Sequence, residues 1–579
     1  MASLKEKGAW VQWRAERFGG FGHGGMQNGV TYAEDICNLR PLEDGTLCSR
    51  DGYAPIAVFD GAVRGAFCHE SGGERWLYAV SGRRIYAMLY GSGDLREIGM
   101  TESEQGRVDF CEVDGAVLLM DGVQMMRLTP DMAERVVPYV PLYGDNWSVL
   151  NGGEVLQEQN ILTDQIRVRY KLENNLVQIR LQLAALQVDR VCIDGVEYQN
   201  WSYDAEERVL RFGATIYAGR TVALLLTMAP KSEEKRRAFM QCRMAARLRD
   251  EAESGMLFGG GADGCAVFRT QDVSLMDRAA CRAEIAGATA LYLLPEGCLQ
   301  VGDGIHGVTA MARQYNRLLL FTEAHTLMTD SERLDRPGLG LQTVNASLGC
   351  TAPGGALSVG NRPISICGRS LLRWTANTDE ADESNAQVIS ALIAPLLTPE
   401  HAREGQLLYD RAHGEVWVYL PGQPGRVLLW NEHSGYFYSY AGVDPDGMLL
   451  CGEQVAFFRG RAIYAFFEEA RGDTDENGET KPIVCRWSAA DSCFSHTGHT
   501  LRSGRILLCA KGVRGQGVGL LTEPETGRGA AVAFRLSGEQ PYEAVRRIPL
   551  GRFCHLRVEL RADCYDKLDL LALCLAARR

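Results

Sequence analysis

The chain has 579 residues, of which 46% are hydrophobic and 23% charged, and its formal net charge is −12. This composition excludes a disordered or fibrous protein, the length predicts several domains, and the acidic balance argues against a large phosphate-binding face. The 18 cysteines include no CxxC pair, so we interpret them as reduced, buried thiols, which implies folding in a reducing cytoplasm.

Residues 1–55 are predicted to form an extended arm. The first 20 residues lack the apolar segment of a signal peptide, and no later run reaches the roughly 18 apolar residues that would span a bilayer. The stretch Phe18–Gly29 (FGGFGHGGMQNG) is too rich in glycine to predict regular structure. Its GxGxxG spacing has neither the preceding strand nor the following helix of a dinucleotide site, so no cofactor is predicted.

Short alternating strands begin near residue 56 and are interrupted near residue 145. Asp-Gly turns between hydrophobic runs predict hairpins over Asp109–Thr129. Residues 146–230 show a separate pattern of strands starting about 8–12 residues apart, which predicts a small inserted β-sandwich. The charged segment Lys231–Ala252 is rich in helix formers and is predicted to be helical, with an edge strand as the alternative.

The strand pattern resumes at residue 255 and continues to residue 471, most regularly over Gly307–Asp330. We count about six or seven strand groups spaced by about 40–50 residues, the spacing of β-propeller blades. An acidic loop, Gly472–Lys481, precedes a strand-rich C-terminal segment.

The sequence therefore predicts an all-β protein in five parts. Residues 56–145 and 255–471 form a β-propeller of about six or seven blades. Residues 146–254 hold the inserted sandwich and its connecting helix or strand, and residues 482–579 form a C-terminal β-domain. The N-terminal arm over 1–55 completes the chain.

Four segments resemble tailed-bacteriophage propeller proteins, which include packaged-DNA stabilisation and tail-nozzle proteins. They are Asn38–Tyr53, Leu293–Glu323, Asn345–Trp374 and Gln387–Leu397. The resemblance implies a virion structural protein of the neck or tail, made in the cytoplasm of a bacterial host. It implies a homo-oligomeric ring around the DNA conduit, bound to other phage structural proteins and acting as a nozzle, stopper or adaptor.

In such a ring, we expect the glycine-rich arm to order against a neighbouring subunit on assembly. Deleting residues 1–30 is then expected to block assembly and to leave the monomer folded. The residues assigned to these arm contacts are Phe18, Phe21, Asn38, Arg50 and Tyr53.

A basic run lies in the segment after the inserted module. A solvated helix face is one interpretation, contact with an acidic neighbour in a ring is the favoured one, and contact with DNA passing through a channel is the third. The residues of this run that we assign to partner contact are Lys235, Arg236, Arg237, Arg243 and Arg247.

Two groups of residues have the composition of metal ligands, and neither predicts a bound metal. Cys485, Cys493, His496 and His499 could complete a tetrahedral zinc site only if a turn brought them together. The acidic loop matches the first half of a calcium loop, but Val484 stands where a bidentate glutamate is required. We interpret this loop as solvated.

No nucleophile elbow, HExxH helix, phosphate-binding loop or kinase signature is present in the sequence. The chain is therefore predicted not to be an enzyme and to have no catalytic residues. Two alternatives to the virion ring stay open. One is a tail propeller that binds a host surface or glycan, and the other is a propeller hydrolase with convergent carboxylates.

Overall fold

The structure is a computed structural model. It describes residues 10–22, 26–113, 116–247, 255–271, 291–330, 333, 337–376, 385–421, 426–470, 472–490, 492–494, 500–512, 515–536, 542–565 and 567–578. The described residues are mostly β-strands, and the chain divides into two compact units. The first unit comprises residues 1–97 and 347–579, and the second comprises residues 98–346.

The described residues of the first unit form four sets of four strands, the first of which ends in a strand that runs past the unit boundary at residue 97. Strands that follow one another along the chain are neighbours, except that Gly52–Val58 joins the fourth set from the N-terminal segment. The 63–100 sheet is made of Val63–Ser71, Glu74–Ser81, Arg84–Leu89 and Leu95–Met100. The 356–388 sheet is made of Ala356–Val359, Arg362–Cys367, Ser370–Trp374 and Ala386–Val388. The 406–441 sheet is made of Gln406–Asp410, Glu415–Tyr419, Arg426–Asn431 and Phe437–Ala441. The 447–467 sheet is made of Gly447–Cys451, Gln454–Arg459, Ala462–Phe467 and Gly52–Val58.

Three further four-stranded sheets lie in the second unit, counted over its described residues. The 109–135 sheet is made of Asp109–Val113, Ala116–Met120, Met125–Leu128 and Ala133–Arg135. The 244–300 sheet is made of Met244–Arg247, Met256–Gly259, Ala266–Thr270 and Leu293–Gln300. The 308–345 sheet is made of Val308–Gln314, Arg317–Thr322, Thr326–Asp330 and Gln342–Asn345.

These repeated four-stranded sheets are those of a β-propeller, as the sequence predicts. Two-residue turns join many of the strands. In one of them Gly82 adopts φ +57°, a left-handed conformation that glycine reaches without steric cost. Strand Gly52–Val58 pairs antiparallel with Ala462–Phe467, so an N-terminal strand completes the last sheet in the sequence. The number of about six or seven blades stays a prediction.

The inserted module is a sandwich of two sheets within the second unit. One sheet contains Leu142–Trp147, Gln165–Lys171, Thr221–Thr227, Gln187–Ile193 and Val196–Glu197. The other contains Leu176–Arg180, Val209–Ile216 and Trp201–Asp204. Alternating side chains of both sheets, among them Val168, Tyr170, Leu210 and Leu224, pack into a buried core between them.

The segment after this module begins as a helix, Glu233–Met240, and continues as strand Met244–Arg247. The Ser232 side chain accepts a hydrogen bond from the Lys235 backbone N–H at the start of the helix. Both interpretations made from the sequence therefore apply, each to a different part of the basic run. In the part of the chain that the structure describes, the other short helical elements are Pro337–Gly340, Ala391–Leu396 and Pro399–Ala402.

The C-terminal β-domain is built from both ends of the chain. One sheet contains Trp10–Ala15, Leu39–Pro41, Leu47–Ser49, Leu501–Gly512, Tyr542–Arg547, Arg552–Phe553 and Leu568–Arg578. The other contains Phe18–Phe21, Met26–Gln27, Val30–Cys37, Ile483–Ala489, Gly515–Thr522, Gly529–Leu536 and Arg557–Cys564, and it continues into the 406–441 sheet. Strands Asp473–Thr474 and Thr480–Lys481 form a small separate ribbon.

The prediction of an extended arm over residues 1–55 is therefore wrong for the described part of that segment. Trp10–Ala15 pairs along its whole length with Leu568–Arg578, and Val30–Cys37 pairs with Ile483–Ala489. The glycines of the segment serve close packing: a Cβ atom on Gly20 would lie 2.2 Å from the Phe437 carbonyl oxygen. Residues 482–579 consequently need N-terminal strands to complete their sheets.

Candidate functional site

One hairpin of the 406–441 sheet brings together an imidazole and two carboxylates. Asp410 ends the first strand and Glu415 begins the second, and the two residues face each other in register. Asp410 Oδ1 accepts a hydrogen bond from the Ala412 backbone N–H at 3.0 Å, which fixes the turn. Gly414 completes the turn with φ +63°. The turn places His413 beside both acids.

We name Arg40, Asp410, His413, Glu415 and Tyr438 the Glu415 cluster. His413 Nδ1 lies 2.6 Å from Asp410 Oδ2, and Arg40 Nη1 lies 3.5 Å from Glu415 Oε1. The Tyr438 hydroxyl donates a hydrogen bond to the same Glu415 oxygen. Arg40 reaches the cluster from strand Leu39–Pro41 in the N-terminal segment, and Tyr438 from the fourth strand of the sheet.

Burial governs the electrostatics of the cluster. It raises the pKa of Glu415, whose side chain is 2% exposed, and the Arg40 guanidinium opposes this rise. Burial also raises the pKa of Tyr438 well above its usual value, so its hydroxyl stays protonated and donates a hydrogen bond to Glu415. The hydrogen bond to Asp410 raises the pKa of His413, against the effect of its partial burial.

A cavity of about 650 Å³ opens on one side of the cluster. Three guanidinium groups and two imidazoles contribute to its lining, from Arg17, Arg40, Arg411, His413 and His433. No described residue forms an ion pair with Arg17 or Arg411. The carboxylates of Glu43 and Glu415 also line this cavity, so its lining carries more positive than negative side chains but is not uniformly positive.

A second cavity, of about 350 Å³, also borders the cluster and shares Arg40, His413 and Glu415 with the first. Its lining combines aromatic rings with carboxylates. The rings belong to Trp417, Tyr440, Phe466 and Phe467, and the carboxylates to Asp51, Asp410, Glu415, Glu453 and Glu468. Rings that offer flat apolar faces next to hydrogen-bond acceptors suit a ligand with both apolar faces and hydroxyl groups.

The side chains of the Glu415 cluster differ in how accessible they are to a ligand. The His413 side chain is 44% exposed and lines both cavities, so its imidazole, oriented by Asp410, is accessible for proton transfer. Glu415 is already held by Arg40 and Tyr438. One ligand atom each from Asp410, His413 and Glu415 lie within 4.8 Å of one another, but the Arg40 charge already balances Glu415.

The residues assigned to arm contacts are occupied within the chain. The Phe18 ring packs edge-on against Trp487 with centroids 5.3 Å apart, and Phe21 is also buried. The Arg50 side chain is 1% exposed and pairs with Asp473. Assigning these side chains to contacts with a neighbouring subunit is therefore wrong, because they hold this chain's own domains together.

The other two arm residues have the same internal role. The Asn38 amide oxygen accepts a hydrogen bond from Arg50 Nε at 2.9 Å, and its amide nitrogen donates to the Val484 carbonyl oxygen at 2.9 Å. The Tyr53 hydroxyl donates to the Gly442 carbonyl oxygen at 2.8 Å. Both side chains join the N-terminal segment to parts of the chain that lie several hundred residues later.

The basic run does not form one charged face. Arg236 pairs with Asp164 at 2.5 Å, and Arg243 pairs with Asp109 at 3.6 Å. Lys235 and Arg237 are exposed on the helix, whereas Arg247 is half-buried on a strand. Arg236 and Arg243 are paired within the second unit and remain partly exposed, so the assignment of the basic run to partner contact stays a prediction.

The structure does not assemble the suggested zinc ligands from its described residues. Cys485 is buried, and its thiol donates to the Asn38 carbonyl oxygen at 3.4 Å. Cys493 is buried and its backbone pairs with Leu556. His496 and His499 lie outside the described residues. In the acidic loop, Asp473 pairs with Arg50, and Asp475 accepts backbone N–H groups of its own turn.

Sequence reasoning missed two clusters. The Glu415 cluster draws Arg40 from a strand that lies 375 residues before Glu415, so no local spacing signals it. The second cluster, Asp303, His306 and His325, joins two loops of the second unit. The DGIH run at Asp303–His306 was the one local signal, because a carboxylate and an imidazole at this spacing share a turn.

Comparisons with known proteins bear on the fold alone. No protein-family model matches the chain, and no curated protein matches its sequence. Among solved structures, the chain is similar to PorZ, a surface component of the type-IX secretion system of Porphyromonas gingivalis, with 11% identity and a TM-score of 0.34. That alignment covers 83% of this chain and 46% of PorZ, so the chain spans about half the length of that protein.

Two further similar structures are covered almost completely. A β-propeller domain from Myceliophteria thermophila matches with 9% identity and a TM-score of 0.33, over 72% of this chain and 99% of that one. YCF48 from Cyanidioschyzon merolae matches with 8% identity and a TM-score of 0.32, over the same shares of 72% and 99%. These proteins differ in function, so the likeness assigns none to this chain.

No helix among the described residues is long and apolar enough to cross a bilayer.

Proposed function

We propose that this chain is a bacteriophage or prophage virion structural protein of the neck or tail. In this role, copies of it assemble as a ring around the DNA conduit and bind other phage structural proteins. Support comes from the segments that resemble phage propeller proteins, since Leu293–Glu323 and Asn345–Trp374 form paired strands of the four-stranded sheets.

One observation carries the assembly part of the proposal. Large apolar side chains are exposed on the inserted module, although its own core is complete. They are Leu150, Val155, Leu156, Val177, Leu186, Val196 and Tyr217. Leu150 is 76% exposed and Val196 is 71% exposed, levels at which an apolar side chain gains from burial against a partner. In this proposal, the module supplies the subunit contact.

The mechanism of such a ring is mechanical. A ring of this kind closes, extends or adapts the DNA conduit. With a net charge of −12, the chain repels the phosphate backbone, so DNA passes without adhering to it.

The oligomeric state of the purified chain tests the assembly part. We expect native mass spectrometry to detect a closed ring of the wild-type chain, and Leu150→Asp/Leu186→Asp/Val196→Asp to yield folded monomers. Val123→Asp/Val388→Asp is the matched control, because these two exposed side chains lie outside the module. A triple variant that assembles like the wild type would exclude the module as the contact.

A second candidate function is favoured by the 350 Å³ cavity, namely a tail propeller that binds a host-surface glycan. Aromatic rings beside carboxylates are the side chains that sugar rings and hydroxyl groups contact. A glycan array probed with the wild-type chain tests this function. Loss of binding in Phe467→Ala and Glu453→Gln, with binding kept in Glu469→Gln outside the cavity, would support it.

A propeller hydrolase is the further alternative, and the His413–Asp410 pair at the cavity edge favours it. Glycans that bind on the array would then be cleaved by the wild-type chain. Retention of cleavage in His413→Gln would exclude this pair as its acid–base group.

A further inference from the structure

Two loops of the second unit bring three metal-ligating side chains together. Asp303 and His306 lie in the loop that connects the 244–300 sheet to the 308–345 sheet, and His325 lies in a hairpin turn of the latter. His306 Nδ1 is 2.6 Å from Asp303 Oδ2, and the rings of His306 and His325 are 5.9 Å apart. One ligand atom of each residue lies within 4.8 Å of the other two.

Hydrogen bonds fix the connecting loop. Asp303 Oδ1 accepts the backbone N–H groups of Ile305 at 2.9 Å and His306 at 2.8 Å. One carboxylate oxygen therefore orients the loop, and the other stays directed at the imidazole. Metal ligands are commonly oriented by such secondary hydrogen bonds.

The His325 turn is fixed as well. The His325 backbone N–H donates to Thr322 Oγ1 at 2.9 Å, and its carbonyl oxygen accepts the Thr322 backbone N–H at 2.9 Å. Thr322 is fully buried, so the turn is anchored in the sheet. The His325 imidazole contacts the His306 ring and forms no hydrogen bond with any described residue.

A turn-capping role explains Asp303 and His306 but not His325. The imidazole of His325 comes from a separate hairpin and adds a second nitrogen ligand to the pair. Two imidazoles and one carboxylate form a ligand set suited to divalent transition metals. None of the three residues is buried, which leaves the site open to an ion from solvent.

We propose that Asp303, His306 and His325 bind a divalent transition-metal ion such as Zn²⁺. On binding, each of the three ligand atoms would lie about 2.0–2.2 Å from the ion, and solvent would complete its coordination. The ion then ties the connecting loop to the hairpin turn. This site is separate from the assembly proposed above and does not depend on it.

Isothermal titration of the full chain with Zn²⁺ tests the site, after treatment with a chelator. We expect one equivalent bound by the wild-type chain, with affinity at least tenfold weaker in His325→Ala and Asp303→Asn. Asp303→Asn keeps an oxygen for the two loop N–H groups, so it removes the charge and leaves the turn in place. Its unchanged thermal midpoint without metal would exclude misfolding as the cause.

His413→Ala is the matched control, because His413 belongs to the only other histidine–carboxylate group of this kind among the described residues. We expect this variant to bind Zn²⁺ like the wild type. A wild-type chain that binds no stoichiometric Zn²⁺ would overturn the proposal. Binding lost in His413→Ala and kept in His325→Ala would overturn it too.

Discussion

Arg50 and Asp473 form a buried ion pair that fastens the N-terminal segment to the loop after the last propeller sheet. Two parallel hydrogen bonds join them, from Arg50 Nη1 to Asp473 Oδ1 at 2.8 Å and from Nη2 to Oδ2 at 2.6 Å. Arg50 Nη2 also donates to the Ala441 carbonyl oxygen at 3.0 Å. The pair thus joins three parts of the first unit that are distant in sequence.

Removing the acid of this pair is expected to destabilise the chain. Asp473→Asn leaves the Arg50 charge buried without its counter-ion, which costs about 3 kcal/mol of unfolding free energy. Arg211→Ala is the control, since its pairs with Asp204 and Glu207 are exposed and such pairs contribute about 0–1 kcal/mol. Thermal unfolding measures both, and equal midpoints for the two variants would contradict the role of the buried pair.

A methyl group at Gly20 is expected to break the contact between the N-terminal segment and the 406–441 sheet. Its Cβ atom would lie 2.2 Å from the Phe437 carbonyl oxygen, which is backbone and has little room to move. We expect Gly20→Ala to lose about 1–3 kcal/mol of unfolding free energy, as overpacking does. Gly551→Ala is the control, because its Cβ atom meets nothing within 4 Å.

Deletion of residues 1–22 is expected to unfold part of the monomer. It removes strand Trp10–Ala15, which covers the edge of Leu568–Arg578, and the buried ring of Phe18. We expect limited proteolysis to cut the C-terminal β-domain of the deletion variant and to spare that of a chain lacking residues 1–9. The sequence-based expectation was that the monomer stays folded without its N-terminal arm. A deletion variant that resists proteolysis as well as the full chain would support that expectation and contradict this prediction.

The His413–Asp410 pair is expected to make stability depend on pH. The folded chain holds the His413 proton more tightly than the unfolded chain, because the Asp410 hydrogen bond raises the pKa of this imidazole. The protonated His413 therefore contributes its full share of unfolding free energy below the unfolded-state pKa of about 6.5, and this share declines as pH rises through the pKa of the folded state.

The comparison of wild type with His413→Gln isolates this effect from the neighbouring Arg40 and Glu415. We expect the difference between their thermal midpoints to be largest below pH 6 and to shrink toward pH 9. A difference that stays constant across this range would show that the imidazole charge contributes nothing.

The propeller sheets were predictable because their signals are local. Alternating apolar residues on both sides of the Tyr315–Asn316 turn predict the hairpin, and the structure pairs Gln314 with Arg317 there. From the sequence alone, the segment Leu568–Ala577 (LDLLALCLAA) fits either a strand or a short helix. It is a strand because Trp10–Ala15 and Leu501–Gly512 pair with its two edges.

The N-terminal segment was misjudged because its partners are distant in the chain. Glycine-rich sequence is typical of flexible loops, but here Gly20 permits close approach to Phe437, and only the tertiary structure reveals that neighbour. The candidate sites were hidden for the same reason. Arg40 meets Glu415, and His325 meets Asp303, through contacts between separate elements.

The most direct test of the virion proposal is cryo-electron microscopy of particles from a bacterial strain that carries the gene, after induction. The account predicts this chain as a closed ring at the neck or tail, with the exposed apolar side chains of the inserted module buried between subunits. Intact particles whose neck and tail contain no density for this chain would contradict the account.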